Sequence, residues 1–127
     1  MYPDDLKYHK DHMWLRASGN KARIGITYYA QEQLGDIVYV EIPETGSEVA
    51  ANTVIGEIES TKTTSTIEAP VGGRVIEVND VLDETPEVIN EDPYGKGWIA
   101  IIEIGNNDEV AHLMDSREYQ NYIEEVK

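Results

Sequence analysis

The 127-residue chain contains no cysteine, and it has only 10 lysines and arginines against 25 aspartates and glutamates. The absence of cysteine excludes disulfides, thiolate zinc sites, Fe–S clusters and cysteine nucleophiles, so any sulfur chemistry must come from an attached group. The formal charge of -15 predicts repulsion from phosphate backbones and from anionic lipid headgroups. We therefore expect that the chain binds neither nucleic acid nor membranes.

Long apolar runs are also missing. No run approaches the length needed to span a membrane, and the first residues, Met1-Tyr2-Pro3-Asp4-Asp5, lack the basic and apolar parts of a signal peptide. We expect a cytoplasmic protein. The length is typical of one domain, residues 1–127, and we expect a monomer.

Residue patterns that would indicate catalysis are scarce. His9, Asp11 and His12 lie close together in the sequence but do not have the spacing of a known metal site. The segment Gly95-Lys96-Gly97 lacks the spaced glycine and the Ser or Thr of a phosphate loop, so it indicates a turn. Adjacent carboxylates in so acidic a chain are typical of a solvated face. We predict no metal site, no catalytic residue and no enzymatic activity.

Apolar and polar residues alternate along 36–42 and 73–78 with the two-residue period of a half-buried strand. A second apolar strand follows each segment, at 54–58 and at 98–102. This weak duplication predicts two related β units that pack face to face in a small sandwich or flattened barrel. The second unit contains a predicted irregular loop at residues 90–97.

The connections inside the two units are acidic turns, at residues 43–46 and 79–86. Before the first unit, residues 13–16 and 22–26 flank the turn-rich segment 17–21 and predict a hairpin.

Short helices are predicted outside the β units. One begins after a cap at Thr27 and ends at Gly35. Residues of about 107–127 predict the C-terminal helices, with Asp108-Glu109 and Asp115-Ser116 placed as cap and dipole partners. The apolar residues at helical spacing in this segment are Val110, Leu113, Met114, Tyr119, Tyr122, Ile123 and Val126.

One lysine lies in a run of small hydroxyl residues, at Ser60-Thr61-Lys62-Thr63. A strand ends near Glu59 and another begins near Thr64, which places Lys62 at the tip of a predicted hairpin. An exposed lysine there most often only increases solubility. Its amine is nevertheless a nucleophile that another enzyme can acylate, and a protruding turn enters another protein's active site easily. The local residues favour the first interpretation and leave the second open.

The sequence resembles the H-protein family of the glycine cleavage system, whose members carry lipoate, and the resemblance covers nearly the whole chain. The motifs that carry it are Gly25-Ile26-Thr27 with Ala30-Gln31, Leu34 to Pro43, Glu59-Ser60-Thr61-Lys62, Ala69-Pro70-Val71 with Gly73, Glu77-Val78-Asn79, and Asn90 to Gly95 with Gly97-Trp98.

This resemblance implies a mainly β barrel-sandwich hybrid of two related β units with short peripheral and C-terminal helices. It implies lipoate in amide linkage on Lys62, with Glu59 and Gly73 at positions that lipoate-attaching enzymes recognise. The implied function is a non-catalytic carrier that shuttles an aminomethyl group. The implied partners are the glycine decarboxylase, the aminomethyltransferase and the dihydrolipoamide dehydrogenase.

The chain departs from the family pattern at two positions that help to hold the loaded arm. Met13 and Thr66 stand where the family has carboxylates, so we expect weaker charge-assisted binding of a cationic amine. A further departure is Tyr28, where the family usually has Asp.

This difference leaves a second hypothesis open. In it, an H-like lipoate carrier transports sulfur-bound intermediates in sulfur oxidation, with a heterodisulfide-reductase-like complex. A biotinyl carrier is disfavoured, because Thr61 and Thr63 replace the methionines that usually flank its lysine. An unmodified scaffold is disfavoured by the intact set of Glu59, Lys62 and Gly73.

Overall fold

The computed structural model describes residues 1–126, without the side chain of Val126. Lys127, the last residue of the predicted helical segment, lies outside the described residues. The strands are β1 (Lys7–His9), β2 (Met13–Ser18), β3 (Lys21–Ile26), β4 (Ile37–Glu41), β5 (Glu48–Val49), β6 (Val54–Ser60), β7 (Thr64–Glu68), β8 (Gly73–Val78) and β9 (Ala100–Ile104). The helices are α1 (Tyr28–Leu34), α2 (Val81–Glu84), α3 (Val88–Glu91), α4 (Asp108–Ala111) and α5 (Ser116–Val126).

The strands form two antiparallel sheets within the described part of the chain. One has six strands in the order β1-β2-β3-β9-β8-β5, and the other has three in the order β4-β6-β7. Both sheets contribute to one apolar core, which includes Ile24, Val75 and Ile102 from the larger sheet and Ile58 and Ile67 from the smaller. The predicted mainly β sandwich-like fold is confirmed.

The two predicted β units each contain a pair of antiparallel strands. β4 pairs with β6 in the small sheet, and β8 pairs with β9 in the large sheet. Each pairing has a register shift, between Ile37 and Tyr39 at the start of β4 and between Val75 and Glu77 in the middle of β8. The paired strands agree with the duplication seen in the sequence.

The connection between β8 and β9 differs from the prediction. The predicted turn at 79–86 contains α2, and α3 takes in the first two residues of the loop predicted at 90–97. Both helices have only 4 residues, too few to show helical periodicity in a sequence. β9 begins at Ala100, two residues later than predicted. Before it, the Asn79 side chain donates hydrogen bonds of 2.8 Å to the carbonyls of Lys96 and Trp98.

The hairpin of β2 and β3 is confirmed, with a shorter turn than the sequence suggests. Ser18 pairs with Lys21, so only Gly19 and Asn20 form the turn. Gly19 has a φ of 61°, a conformation that glycine adopts without steric cost.

The C-terminal helices are confirmed. Asp115 caps α5, since its carboxylate accepts from the Glu118 amide at 2.8 Å and the Glu118 carboxylate accepts from the Asp115 amide at 3.1 Å. Tyr119 of α5 is fully buried and stacks on Tyr8 of β1 with ring centroids 4.8 Å apart. No helix in residues 1–126 is long and apolar enough to cross a membrane.

Candidate functional site

Lys62 lies at the exposed tip of the hairpin that joins β6 to β7. β6 ends at Ser60 and β7 begins at Thr64, and each residue from 61 to 66 is exposed. The predicted hairpin and the exposed position of its lysine are therefore confirmed.

The turn is held by one small side chain. The Ser60 hydroxyl oxygen accepts from the backbone amides of Lys62 and Thr63, each at 3.1 Å, and it donates to the Thr63 carbonyl at the same distance. The Ser60 amide also donates to the Thr63 carbonyl at 2.8 Å. A serine that bonds to the backbone two and three residues ahead stabilises a tight turn. The backbone of Lys62 is thus fixed by a residue of its own hairpin.

The hairpin rests on the corner between α1 and β4. The Thr61 amide donates to the Asp36 carbonyl at 3.0 Å. The Lys62 side chain lies over Gly35, where a Cβ atom would come within 2.6 Å of the Lys62 Cε. Gly35 also ends α1 with a φ of 79°. A larger residue at position 35 would therefore displace the lysine side chain and strain the end of the helix.

Asn90 holds this corner from the other side. Its amide nitrogen donates to the Gly35 carbonyl at 2.8 Å and to the Gln31 side chain at 3.0 Å, and its amide oxygen accepts from the Ile37 backbone at 2.9 Å. Asn90 is the first residue of the predicted irregular loop, and its positioning role was not predicted. Its hydrogen-bond partners are 53 to 59 positions away in the sequence, so no local pattern identifies them.

A groove of about 300 Å³ opens beside the hairpin, between α1, the start of β2 and β7. This volume is at the lower end of the range for small-molecule pockets. Its lining consists of Asp11, His12, Met13, Ile26, Tyr29, Ala30, Gln33, Leu34, Ile58 and the four residues 63–66. The groove therefore reaches the residue that follows Lys62.

Met13 and Thr66 both line this groove. Met13 is 1% exposed and belongs to the main core, whereas Thr66 is on the exposed face of β7. The sequence did not single out Asp11 as a docking residue, yet it lines the same groove. The groove therefore contains a carboxylate despite the two neutral replacements.

His12 forms one wall of the groove in a fixed orientation. Its backbone is left-handed, with a φ of 69°, and its Nδ1 is 2.7 Å from the Tyr119 hydroxyl, which is 2.8 Å from the Thr27 hydroxyl. Burial lowers the pKa of His12, the charge of Asp11 raises it less, and His9 lowers it slightly. In the neutral ring Nδ1 accepts from Tyr119, and the Thr27 hydroxyl accepts from the Ala30 amide at 3.2 Å as the cap of α1. The predicted cap at Thr27 is confirmed.

Glu59 and Gly73 lie in different sheets. Glu59 is exposed on β6, where it pairs with Thr64 and Tyr39 close to the hairpin tip. Gly73 begins β8 with a φ of 153°, and a Cβ there would come within 1.9 Å of the Glu103 carbonyl oxygen. The close packing of β8 on β9 thus requires a glycine at this position, whether or not a lipoate-attaching enzyme also recognises it.

A model of the family described as Glycine cleavage H-protein matches residues 6–126. The glycine cleavage system H protein of Halalkalibacterium halodurans is 49% identical over 123 residues, which cover 97% of this chain and 96% of that protein. The protein of the same name from Bacillus subtilis is 46% identical over 123 residues, or 97% of each chain.

The fold agrees with these matches. A crystal structure of a glycine cleavage system H protein from Mycobacterium marinum superposes with a TM-score of 0.88 and 39% identity, covering 96% of this chain and 98% of that one. Together with the sequence motifs, the two sheets and the lysine hairpin, this similarity shows that the chain belongs to the glycine cleavage H-protein family.

Proposed function

We propose that this chain is the lipoyl carrier of a glycine cleavage system and that lipoate is attached in amide linkage to the Nζ of Lys62. The observation that carries the attachment site is the position of Lys62, in an exposed turn beside a groove in a member of this family. When bound, lipoate supplies a dithiolane whose sulfur can accept an aminomethyl group.

The residues around Lys62 fit such an attachment. Thr61 and Thr63 are small and exposed, so an attaching enzyme can approach the amine without a steric obstacle. Acylation would remove the positive charge of the lysine and leave a neutral arm on a strongly anionic protein. The fixed turn and the adjacent groove give the base of the arm a defined position and its far end a surface on which to lie.

We further propose that the chain is a carrier without catalysis of its own and that the lipoate-attaching enzymes, the decarboxylase, the aminomethyltransferase and the dihydrolipoamide dehydrogenase bind it in turn. A carrier with several partners needs rapid and reversible binding. A large surface of one charge favours this, because complementary charge raises association rates without requiring tight complexes.

The sulfur-carrier hypothesis has no supporting observation. The relatives that match over 97% of the chain bear the name glycine cleavage system H protein. The argument for sulfur also depended on a neutral groove, and Asp11 lines that groove. We therefore retain the aminomethyl carrier as the proposed function.

Intact-mass measurement tests the attachment site. The chain is incubated with lipoate, ATP and a lipoate-attaching ligase, and we expect one lipoyl increment on the wild-type protein. Lys62→Arg should show none, because a guanidinium does not form the amide. Lys96→Arg, at another exposed lysine, should be lipoylated like the wild type. A lipoyl group on Lys62→Arg would overturn the assignment.

The same assay applies to Glu59. We propose that lipoate-attaching enzymes read this exposed carboxylate, so Glu59→Gln should be lipoylated more slowly than Glu57→Gln, two residues earlier on the same strand. For Gly73 the assay is not informative, because an alanine there would meet the Glu103 carbonyl and disturb the sheet.

A further inference from the structure

The hairpin of β2 and β3 has an outer face that the rest of the protein covers only in part. The inner face belongs to the main core, where Ile24 is fully buried. On the outer face, Trp14 is also fully buried and donates a hydrogen bond of 2.9 Å to the Pro93 carbonyl. Residues two apart on a strand share a face, so Arg16 follows Trp14 there, and both Arg16 and its cross-strand partner Arg23 are exposed. The outer face is therefore open to solvent beyond Trp14.

The open part of this face brings three cations together. Arg16 on β2 lies directly opposite Arg23 on β3, and Lys21 is two residues from Arg23 on the same face. Like charges at directly opposed positions of antiparallel strands destabilise the pairing. The chain has only 10 lysines and arginines against 25 aspartates and glutamates, so such a cluster is not expected from composition. Folding alone does not favour this arrangement.

Nearby carboxylates neutralise these cations only in part. Asp5 forms an ion pair with Arg16 at 2.5 Å, and both side chains remain well exposed. Glu103 of β9 is the strand neighbour of Lys21. Even so, among residues 1–126 no carboxylate oxygen lies within 4.0 Å of the side-chain nitrogens of Lys21 or Arg23. Arg16 also has five N–H donors, more than one carboxylate uses. The three cations therefore retain donors for a further anion.

The same three side chains line a cavity of about 300 Å³ that has an apolar wall. Half-buried Ile101 of β9 lies opposite Arg23 and forms part of this wall, and the hydrocarbon stems of the cations extend it. The Arg23 guanidinium lies over the Trp98 ring, 5.0 Å from its centroid. Stacking on a ring does not use the in-plane N–H groups of a guanidinium. The cavity thus combines cationic donors with an aliphatic surface.

We propose that this basic face, formed by Arg16, Lys21 and Arg23, binds an acidic segment of a partner protein. A carboxylate of the segment lies between the two arginines, and an aliphatic side chain beside it packs on Ile101. The argument is charge complementarity, because a guanidinium matches a carboxylate with two parallel hydrogen bonds. The apolar wall gives the neighbouring side chain of such a segment a surface to contact.

A short protein segment fits this face better than a polyanion does. Nucleic acids and anionic membranes present many charges over a wide area, and the formal charge of -15 repels them. A segment with one or two carboxylates engages only the basic face. Screening at physiological salt limits its repulsion from the other carboxylates of the protein to a range of about 8 Å.

The basic face is separate from the carrier turn. It belongs to the large sheet, whereas Lys62 lies on the hairpin between β6 and β7 of the small sheet. No described residue lines both this cavity and the groove beside Lys62. A short segment bound here therefore does not cover the carrier turn. The inference goes beyond the proposed function and does not require lipoate.

An NMR titration of the full chain tests the proposal. The probe is the peptide acetyl-Leu-Glu-Glu-Leu-amide, and acetyl-Leu-Gln-Gln-Leu-amide is the uncharged control. We expect the acidic peptide to shift the backbone signals of Arg16, Lys21, Arg23 and Ile101 and to leave residues 61–63 unshifted. Raising the salt from about 0.05 M to about 0.5 M should weaken binding, because the pairing is exposed. The dissociation constant should be the same with and without lipoate on Lys62.

Matched variants test the cations themselves. Arg23→Gln should raise the Kd of the acidic peptide roughly two- to fivefold, the effect of losing one exposed ion pair. Lys21→Gln, which leaves the contact of Arg23 with Trp98 in place, should raise it less. Arg117→Gln removes the same charge from an exposed position on α5 outside the cavity, and it should leave the Kd unchanged.

Three results would overturn the proposal. The first is that the acidic peptide causes no shift at the basic face or binds no better than the uncharged peptide. The second is that Arg23→Gln and Lys21→Gln bind the acidic peptide as Arg117→Gln does. The third is that inorganic phosphate at the same concentration causes the same shifts, which would indicate a general anion site. None of these results bears on the attachment of lipoate to Lys62, which intact mass measures.

Discussion

Two turns border the groove, and they are held in opposite ways. The carrier turn, residues 61–63, is exposed, and its hydrogen bonds come mainly from Ser60 in its own hairpin. The turn between β1 and β2 contains His12, which bonds to Tyr119, 107 positions away, and follows His9, which bonds to Asn52, 43 positions away. One turn is a local structure and the other depends on the packing of the whole protein.

The proposed function gives the two turns different requirements. A lysine that enters the active sites of several enzymes must lie outside the body of the protein, where few long-range contacts are possible. A surface that binds the arm must keep its shape while the arm is elsewhere. Buried hydrogen bonds and packed aromatic rings provide this rigidity. An exposed turn can therefore be held by neighbouring residues, whereas a rigid groove wall needs contacts between residues far apart in the sequence.

The largest expected effect is on the buried turn. Tyr119→Phe removes the hydroxyl that joins His12 to Thr27 and leaves both without that partner. We expect a loss of about 1–3 kcal/mol in the free energy of unfolding, because unpaired buried polar groups lose this much. Urea denaturation measures it. Tyr39→Phe, at a tyrosine that is 50% exposed, is the control and should change stability by less than about 0.5 kcal/mol.

The next largest effect is a pH dependence of the stability, which arises from His12 in the same turn. Burial lowers the pKa of His12 in the folded protein below 6.5, so the unfolded chain binds more protons as the pH falls through that value. The contribution of neutral His12 to the free energy of unfolding is therefore fully present above about pH 6.5. It declines below that pH, by at most about 1.4 kcal/mol per pH unit. The decline from pH 7.5 to 5.5 should be smaller in His12→Asn. His112→Asn, at an exposed ring, should retain it, and equal slopes in both variants would contradict the assignment.

The smallest effect on stability is expected at the carrier turn. Ser60→Ala removes the hydroxyl bonds to Lys62 and Thr63, but water can replace them at this exposed site, so unfolding should change by less than about 1 kcal/mol. Lipoylation should become several-fold slower, because the turn loses its defined shape. Ser18→Ala, at an exposed serine of β2 that does not line the groove, is the control. A loss of stability as large as that of Tyr119→Phe would show that the two turns are not held differently.

Local patterns explain which parts of the structure were predictable. The hairpin tip, the cap at Thr27 and the cap at Asp115 each depend on residues within a few positions of one another, and all three are confirmed. The helices α2 and α3 were not predicted, because one turn of helix leaves no periodic signal. The hydrogen bonds of Asn79 to the segment before β9 span 17 and 19 positions, and no local pattern shows them.

By itself the sequence determined the two-sheet fold, the family and the exposed position of Lys62, since alternation, turn residues and motifs are read along the chain. Only the tertiary structure decided what surrounds the lysine. Gly35 and Asn90 support it from another corner of the fold, and Asp11 meets Glu68 and the groove from segments far apart in sequence. These contacts join residues that are far apart in the sequence, so only the folded chain brings them together.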